Sequence, residues 1–252
     1  MNTQPHDAGA PVLVLANSLS ATQDMWHRQI PAWSERHRIV SCNYAGHGPA
    51  TDASLPPQDN IAGMGQALIA RLDKLGVEQF DFVGLSLGGM LGLHMAARYP
   101  DRVRRLVAAN CRYWNNAEGQ KQWDARIQTA QENGLQAIAQ GTLERWFTEG
   151  FRDAEPDTVA RMRDMILTCD VEGYALAATA VRNLDLREQL SEIRCPVLLL
   201  TGDQDVAAPA EHMQEIAQLV PNAKLHVFDH CAHISNIEHP KAFLEQVQEH
   251  LE

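Results

Sequence analysis

One motif constrains this chain more than any other: a Gly-x-Ser-x-Gly pattern at residues 84–88, centred on Ser86. The preceding residues 80–83 are mostly apolar and favour a strand, whereas residues 89–97 favour a helix that ends near Pro100. A serine between two glycines at such a junction is typical of a nucleophile elbow, a tight turn that lifts the hydroxyl clear of the backbone. The alternative is a glycine-rich turn in which the serine is incidental.

A serine nucleophile needs a base and a group that orients the base. In folds with this elbow, the order along the chain is serine, acid, histidine. Asp205 comes just after the apolar residues 197–200, and His233 follows the strand-like residues 225–228. Active groups of open α/β sheets gather at the carboxyl ends of the strands. We therefore predict Ser86 as the nucleophile, His233 as the general base and Asp205 as the orienting acid.

Three nearby residues leave alternatives open. Asp203 could be the acid in place of Asp205, although aspartate is also a common turn residue. His230 could replace His233 as the base, with a hydrogen bond within its loop as the other interpretation. His47 lies between two glycines, where a structural role in a turn is the simpler interpretation.

Attack on a carbonyl creates an oxyanion, which preorganised donors must stabilise. The backbone N–H of Leu87, directly after the serine, is predicted as one donor. We predict the amide of Leu19 as the second, because small and polar residues follow the first strand and can fold back over the serine. The alternative is that Asn17 and Ser18 only cap this turn.

Composition excludes several classes of protein. The 252 residues are 45% hydrophobic and 21% charged, which is ordinary for a globular enzyme. A formal net charge of −11 argues against nucleic-acid and anionic-membrane partners, and it requires a locally positive pocket for any anionic substrate. No apolar run reaches the length of a membrane span. A small molecule is therefore the expected partner.

The termini and cysteines favour a cytoplasmic protein. Residues 1–10 lack the basic and apolar regions of a signal peptide. The five cysteines are dispersed, odd in number and without metal-binding spacing, so we predict free thiols in a reducing compartment and no metal site.

The pattern of apolar residues predicts an α/β fold with a mostly parallel central sheet and helices on both faces. Strands are predicted at residues 12–15, 39–44, 80–83 and 103–109, and helices at 25–35 and 61–75. Four further helices are predicted at 119–133, 135–146, 156–168 and 171–182, where the strand pattern disappears. We interpret residues 113–189 as a helical lid inserted between two parts of a core, residues 1–112 and 190–252.

Taken together, these motifs resemble the α/β-hydrolase family and, within it, the 3-oxoadipate enol-lactonases of aromatic-compound catabolism. The resemblance extends over most of the chain and is carried by residues 84–90, by 232–238 and, in the lid, by 143–148. It implies the same triad, no metal or organic cofactor, and a small acidic lactone that is opened through an acyl-enzyme on Ser86.

A lactone with a free carboxylate requires a cation or strong donors in the pocket. Arg112, Arg145 and Arg182 are the candidates, with a surface or structural role as the alternative for each. Trp146 is predicted to cover the substrate ring, although an amphipathic helix also buries tryptophan for packing alone.

The chain also departs from the family pattern. Residues 43–48 lack two charged residues of the family's loop, Ser20 stands where the family has glycine, and residues 111–116 are bulkier than expected. These departures leave hydrolysis of another small carboxylate-bearing ester or lactone, or a perhydrolase reaction, as alternatives. A non-catalytic binding protein is a third alternative.

Few residues precede the first predicted strand, so the family's opening β-hairpin is expected to be missing. Exposed apolar residues of the lid would allow a homo-oligomer.

Overall fold

The architecture is given by a computed structural model that describes residues 9–49, 51 and 54–252. At its centre is a six-stranded sheet in the order β2-β1-β3-β4-β5-β6, in which every neighbouring pair is parallel. The strands are β1 (Val12–Ala16), β2 (Arg38–Ser41), β3 (Phe80–Leu85), β4 (Val103–Ala109), β5 (Val197–Gly202) and β6 (Ala223–Phe228). All residues of β3 and β5 are buried, as expected where helices cover both faces of a parallel sheet.

Helices cover both faces of this sheet, as the sequence analysis predicted for an α/β fold. Alternate residues of β1 enter two separate cores: Val14 packs with one set of helices, and Leu13 and Leu15 with the other. The core helices are α1 (Ile30–Trp33), α2 (Ile61–Lys74), α3 (Leu87–Arg98), α9 (Ala210–Leu219), α10 (Ser235–Glu238) and α11 (Pro240–Leu251), with two 3-10 helices at Gln23–Trp26 and Leu190–Glu192.

Five helices occupy the connection between β4 and β5. They are α4 (Ala117–Asn133), α5 (Gln136–Trp146), α6 (Glu149–Ala154), α7 (Pro156–Leu167) and α8 (Val171–Arg182), and we refer to them as the lid segment. Four were predicted from the sequence. The additional α6 begins where the Thr148 hydroxyl accepts a hydrogen bond from the Phe151 amide at 3.2 Å, a short-range capping contact that apolar periodicity does not reveal.

Two predicted elements were wrong in extent. The helix predicted at 25–35 is divided into the 3-10 helix Gln23–Trp26 and the single turn α1. Pro31 has no N–H to donate to the carbonyl four residues earlier, so one continuous α-helix cannot form through these residues. The strand predicted at 39–44 ends at Ser41, since Asn43 and Tyr44 form loop contacts instead.

The fold brings several loops to one edge of the sheet. Because all strands are parallel, the residues after β1, β3, β4, β5 and β6 meet at their carboxyl ends.

Residues 1–8, on which the hairpin and signal-peptide predictions mostly rest, lie outside the described residues. Within the described ranges, no helix combines the length and apolarity needed to cross a membrane.

Candidate active site

Ser86 occupies a strained turn between β3 and α3. Its φ is +57°, in a region that residues with a side chain rarely adopt. The glycines on either side permit the turn: a Cβ on Gly84 would overlap the Gly88 carbonyl, and one on Gly88 would overlap the carbonyl of Ala16. The backbone therefore needs both glycines of the motif, and the serine hydroxyl is held at the N-terminus of α3.

Two further side chains form a chain of hydrogen bonds that begins at this serine. The Nε2 atom of His233 lies 2.9 Å from the Ser86 Oγ, and its Nδ1 lies 2.8 Å and 3.0 Å from the two carboxylate oxygens of Asp205. All three residues are buried. With the Nδ1 proton directed at the carboxylate, Nε2 is free to accept the serine proton. The geometry is suited to nucleophilic catalysis by serine.

The alternative acid and bases lie elsewhere. Asp203 is exposed, and its carboxylate accepts a hydrogen bond from the Cys231 amide at 3.1 Å. His230 is exposed, and its carbonyl lies 3.2 Å from the ring of His239. His47 is buried away from the triad with its Nδ1 3.0 Å from the carbonyl of Ala45, and burial lowers the pKa of its imidazole. The structure brings none of them to Ser86.

Asn110 holds the Asp205 carboxylate and was not identified from the sequence. It follows β4 directly, and its amide donates to Asp205 Oδ2 at 3.0 Å while accepting from the Ser235 hydroxyl at 2.6 Å. Its φ of +49° is tolerated because asparagine adopts left-handed conformations more easily than most residues. A polar residue directly after a parallel strand is the signal that could have suggested it.

Backbone amides complete the environment of Asp205. The N–H groups of Ala207 and Ala208 donate to Oδ1 at 2.9 Å and 2.8 Å. With His233 and Asn110, the carboxylate therefore has four donors, which hold it in one orientation.

The two amides predicted for the oxyanion hole are available. Leu87 is the first residue of α3, so its N–H has no acceptor within the helix. Leu19 lines the same cavity as Ser86. Within the described residues, neither amide donates to another acceptor. Their role in binding an oxyanion stays a prediction.

Asn17 does more than cap the loop after β1. Its carbonyl accepts from the Gly88 amide and from the Tyr44 hydroxyl, each at 3.0 Å. Its side chain accepts from Trp26 Nε1 at 3.0 Å and donates to the Cys42 carbonyl at 3.2 Å. These bonds connect the loop of Leu19 to the turn that holds Ser86, and Tyr44 takes part in that connection.

The triad opens into a cavity of about 580 Å³ beneath the lid segment. Ser86 and His233 line it, together with the predicted residues Arg112, Arg145 and Trp146. Trp123 and Arg126 of α4 also line it and were missed, although their spacing puts them on one face of a largely polar helix. The described residues that line the cavity include no aspartate or glutamate.

Arg145 is a half-buried cation without a partner. No hydrogen bond or ion pair connects it to another residue in the described part of the chain. Burial and the neighbouring charge of Arg126 lower the pKa of its guanidinium to about 10, so it is still charged at neutral pH. Arg126 donates to the Thr142 hydroxyl at 2.7 Å and lies 5.3 Å from the centre of the Trp123 ring.

Arg182, the third arginine predicted as a candidate for substrate binding, does not line the cavity. It forms a solvent-exposed ion pair with Asp124 of α4 at 2.7 Å and is absent from the cavity wall. Its neighbour Val181 lines the cavity instead, so the helix presents its apolar side there.

Trp146 is buried, and its carbonyl accepts a hydrogen bond from the backbone amide of His233 at 3.1 Å, which connects the lid segment to the triad.

Comparison with known proteins identifies the family of the chain. The family model described as the alpha/beta hydrolase fold matches residues 11–240. The chain belongs to the α/β-hydrolase family. The predicted fold and the predicted enzyme class, a carboxylic-ester hydrolase similar to the enol-lactonases, are confirmed.

The hydrolase is similar to enol-lactonases over nearly its whole length. It is 34% identical to 3-oxoadipate enol-lactonase 2 of Acinetobacter baylyi over 241 residues, 96% of this chain and 88% of the relative. It is 28% identical to 3-oxoadipate enol-lactonase 1 of that organism, covering 94% of this chain and 86% of the relative. The crystal structure of the enol-lactonase from Burkholderia xenovorans LB400 superimposes with a TM-score of 0.92 at 32% identity, covering 99% of this chain and 94% of that one.

Proposed function

We propose that this α/β hydrolase opens 3-oxoadipate enol-lactone to 3-oxoadipate, a step in the degradation of aromatic compounds, through an acyl-enzyme on Ser86. The observation that carries the proposal is Arg145, an unpaired guanidinium in the cavity of the serine. Such a cation favours a substrate with a carboxylate near its reactive carbonyl. The names of the two Acinetobacter relatives support the same substrate.

Acylation begins at the Ser86 hydroxyl. His233 takes its proton as the oxygen attacks the lactone carbonyl, and Asp205 stabilises the imidazolium that forms. The amides of Leu19 and Leu87 bind the oxyanion of the tetrahedral intermediate. Collapse of that intermediate breaks the bond between the acyl carbon and the ring oxygen.

The leaving group is an enolate that stays attached to the acyl chain. The His233 imidazolium returns its proton to this group, which relaxes to the ketone. Water then attacks the acyl carbon, His233 takes its proton, and the Ser86 oxygen leaves with a proton from His233. The product is a dicarboxylate with a ketone, and the balance requires no metal or organic cofactor.

The lid segment supplies the binding groups in this proposal. Arg145, with Arg126 beside it, holds the substrate carboxylate, and Trp146 covers the ring. The five buried, unbridged cysteines fit an enzyme that works in the reducing cytoplasm.

The test is hydrolysis of freshly generated 3-oxoadipate enol-lactone, followed by ultraviolet absorbance. Ser86→Ala is expected to abolish turnover. Arg145→Gln is expected to raise KM about tenfold or more, because the carboxylate loses a charged partner. Arg182→Gln, which removes an arginine outside the cavity, is the matched control and should behave like the wild type.

Two results would contradict the proposal. Absence of lactone turnover, in an enzyme that still cleaves p-nitrophenyl acetate through Ser86, would reject the substrate and leave the triad in place. An equal effect of Arg145→Gln and Arg182→Gln would reject the carboxylate site.

A further inference from the structure

The three arginines of the cavity form two separate groups. Arg126 and Arg145 extend from helices α4 and α5 of the lid segment, close enough that the charge of one lowers the pKa of the other's guanidinium. Arg112 follows β4 and lies with the loop after β5, where the nearby charge of Asp205 acts on it. One cavity therefore has positive charge on two sides, from Arg126 and Arg145 of the lid segment and from Arg112 at the edge of the sheet.

Arg112 is held in place by neutral partners. Its Nε donates to the carbonyl of Ala207 at 2.6 Å, and its Nη1 lies 3.2 Å from Nε2 of His212. Burial lowers the pKa of both the Arg112 guanidinium and the His212 imidazole, so the imidazole is neutral and accepts at neutral pH. The described residues provide no carboxylate in ion-pair contact with Arg112.

Such an arginine retains donors for a ligand. A guanidinium has five N–H groups, and the two contacts engage only Nε and one hydrogen of Nη1. The remaining end can bind a carboxylate in the planar geometry that arginine favours.

We propose that Arg112 is a second anion-binding subsite, which admits lactones or esters that have a further carboxylate besides the one bound at Arg145. The inference rests on the proposed function, in which Arg145 holds the single carboxylate of the enol-lactone. It extends the substrate class to lactones or esters whose additional carboxylate is held by Arg112. After hydrolysis the product of such an extended substrate has three carboxylates, one of them newly formed at Ser86, whereas the product of the enol-lactone has two.

A matched pair of inhibitors tests this subsite without any lactone. Tricarballylate is glutarate with one additional carboxylate on its central carbon. Each is measured as a competitive inhibitor of p-nitrophenyl acetate hydrolysis, a reaction that needs the triad but no anion subsite. We expect tricarballylate to bind the wild type about tenfold more tightly than glutarate.

Variants assign that preference to a residue. Arg112→Gln is expected to remove the advantage of tricarballylate, whereas Arg112→Lys restores part of it. Glutarate inhibition should change less than about twofold in Arg112→Gln, because its two carboxylates correspond to those of the enol-lactone product, at Ser86 and at Arg145. Arg182→Gln should keep the full advantage, because its side chain pairs with Asp124 outside the cavity.

The outcomes separate this inference from the proposed function. Equal inhibition by the two acids in the wild type would overturn the subsite. A fall in kcat toward p-nitrophenyl acetate in Arg112→Gln, with both inhibition constants unchanged, would also overturn it and give Arg112 a positioning role for the loop of Asp205. Failure of lactone turnover, with the tricarballylate advantage intact, would reject only the enol-lactone.

Discussion

Ser20 has an unfavourable conformation beside the oxyanion loop. Its φ is +65°, and its buried hydroxyl has no hydrogen-bond partner in the described structure. Glycine has no Cβ to oppose a positive φ. We expect Ser20→Gly to raise the free energy of unfolding by about 1 kcal/mol, since relief of strain and of the unpaired hydroxyl exceeds the entropy cost of glycine.

Urea unfolding of wild type and variant measures this difference. Ser20→Ala is the matched control, because it removes the hydroxyl and keeps the positive φ. If the alanine variant were as stable as the glycine variant, backbone strain would not be the cause.

Asn110 is expected to act through Asp205. Asn110→Gly removes the amide that donates to the carboxylate and tolerates the φ of +49°. We predict a fall in kcat of about tenfold toward p-nitrophenyl acetate, with little change in KM, because a less ordered carboxylate orients His233 less well. Ser235→Ala, which removes a partner of Asn110 but leaves its bond to Asp205, should have a smaller effect. An unchanged kcat in Asn110→Gly would contradict the positioning role.

Some side chains of the site could be predicted from the sequence, and others could not. Ser86, Asp205 and His233 each follow a strand, so chain order and the common edge of a parallel sheet suffice to bring them together. The direction of an arginine on a lid helix depends instead on which side of that helix packs against its neighbours. Arg182 and Val181 are adjacent in sequence, yet only Val181 lines the cavity.

At the scale of elements, the periodicity of apolar residues predicts some helices well, and individual residues such as proline determine where the others begin and end. Helix α2 agrees with its prediction to within one residue, because its apolar positions repeat regularly and Asn60 caps its start. The predicted helix at 25–35 fails at Pro31, whose effect depends on the turn around it. The contact of α8 with the loop after β2 is long-range and leaves no local pattern.

That contact gives a prediction for Gly173, at the start of α8. A Cβ there would overlap the carbonyl of Ala45, so helix and loop would have to separate. Gly173→Ala is expected to lower the free energy of unfolding by about 1–3 kcal/mol, the usual cost of overpacking. Thermal and urea unfolding measure the change.

Gly150 in α6 provides the matched control for Gly173. Nothing lies within 4 Å of a Cβ built there, so Gly150→Ala is expected to raise the stability by about 0.5–1 kcal/mol through helix propensity alone. A stabilising effect at both glycines would show that α8 does not pack closely on the loop.

At the scale of the whole molecule, two opposite charge distributions act on an anionic substrate. The net charge of −11 repels it at long range, whereas the arginines of the cavity attract it at short range. Salt screens exposed charges beyond a distance of about 10 Å at about 0.1 M, and it screens partly buried contacts much less. Salt should therefore weaken the repulsion more than the binding.

We accordingly predict that kcat/KM for the acidic lactone rises about twofold between about 10 mM and about 150 mM sodium chloride. The neutral ester p-nitrophenyl acetate is the control, because neither charge distribution acts on it, and its kcat/KM should stay constant. Arg145→Gln should retain the rise, since that variant loses short-range attraction but keeps the surrounding negative field. A fall of kcat/KM with salt in the wild type would mean that the field of the cavity arginines extends into solvent and outweighs the net charge.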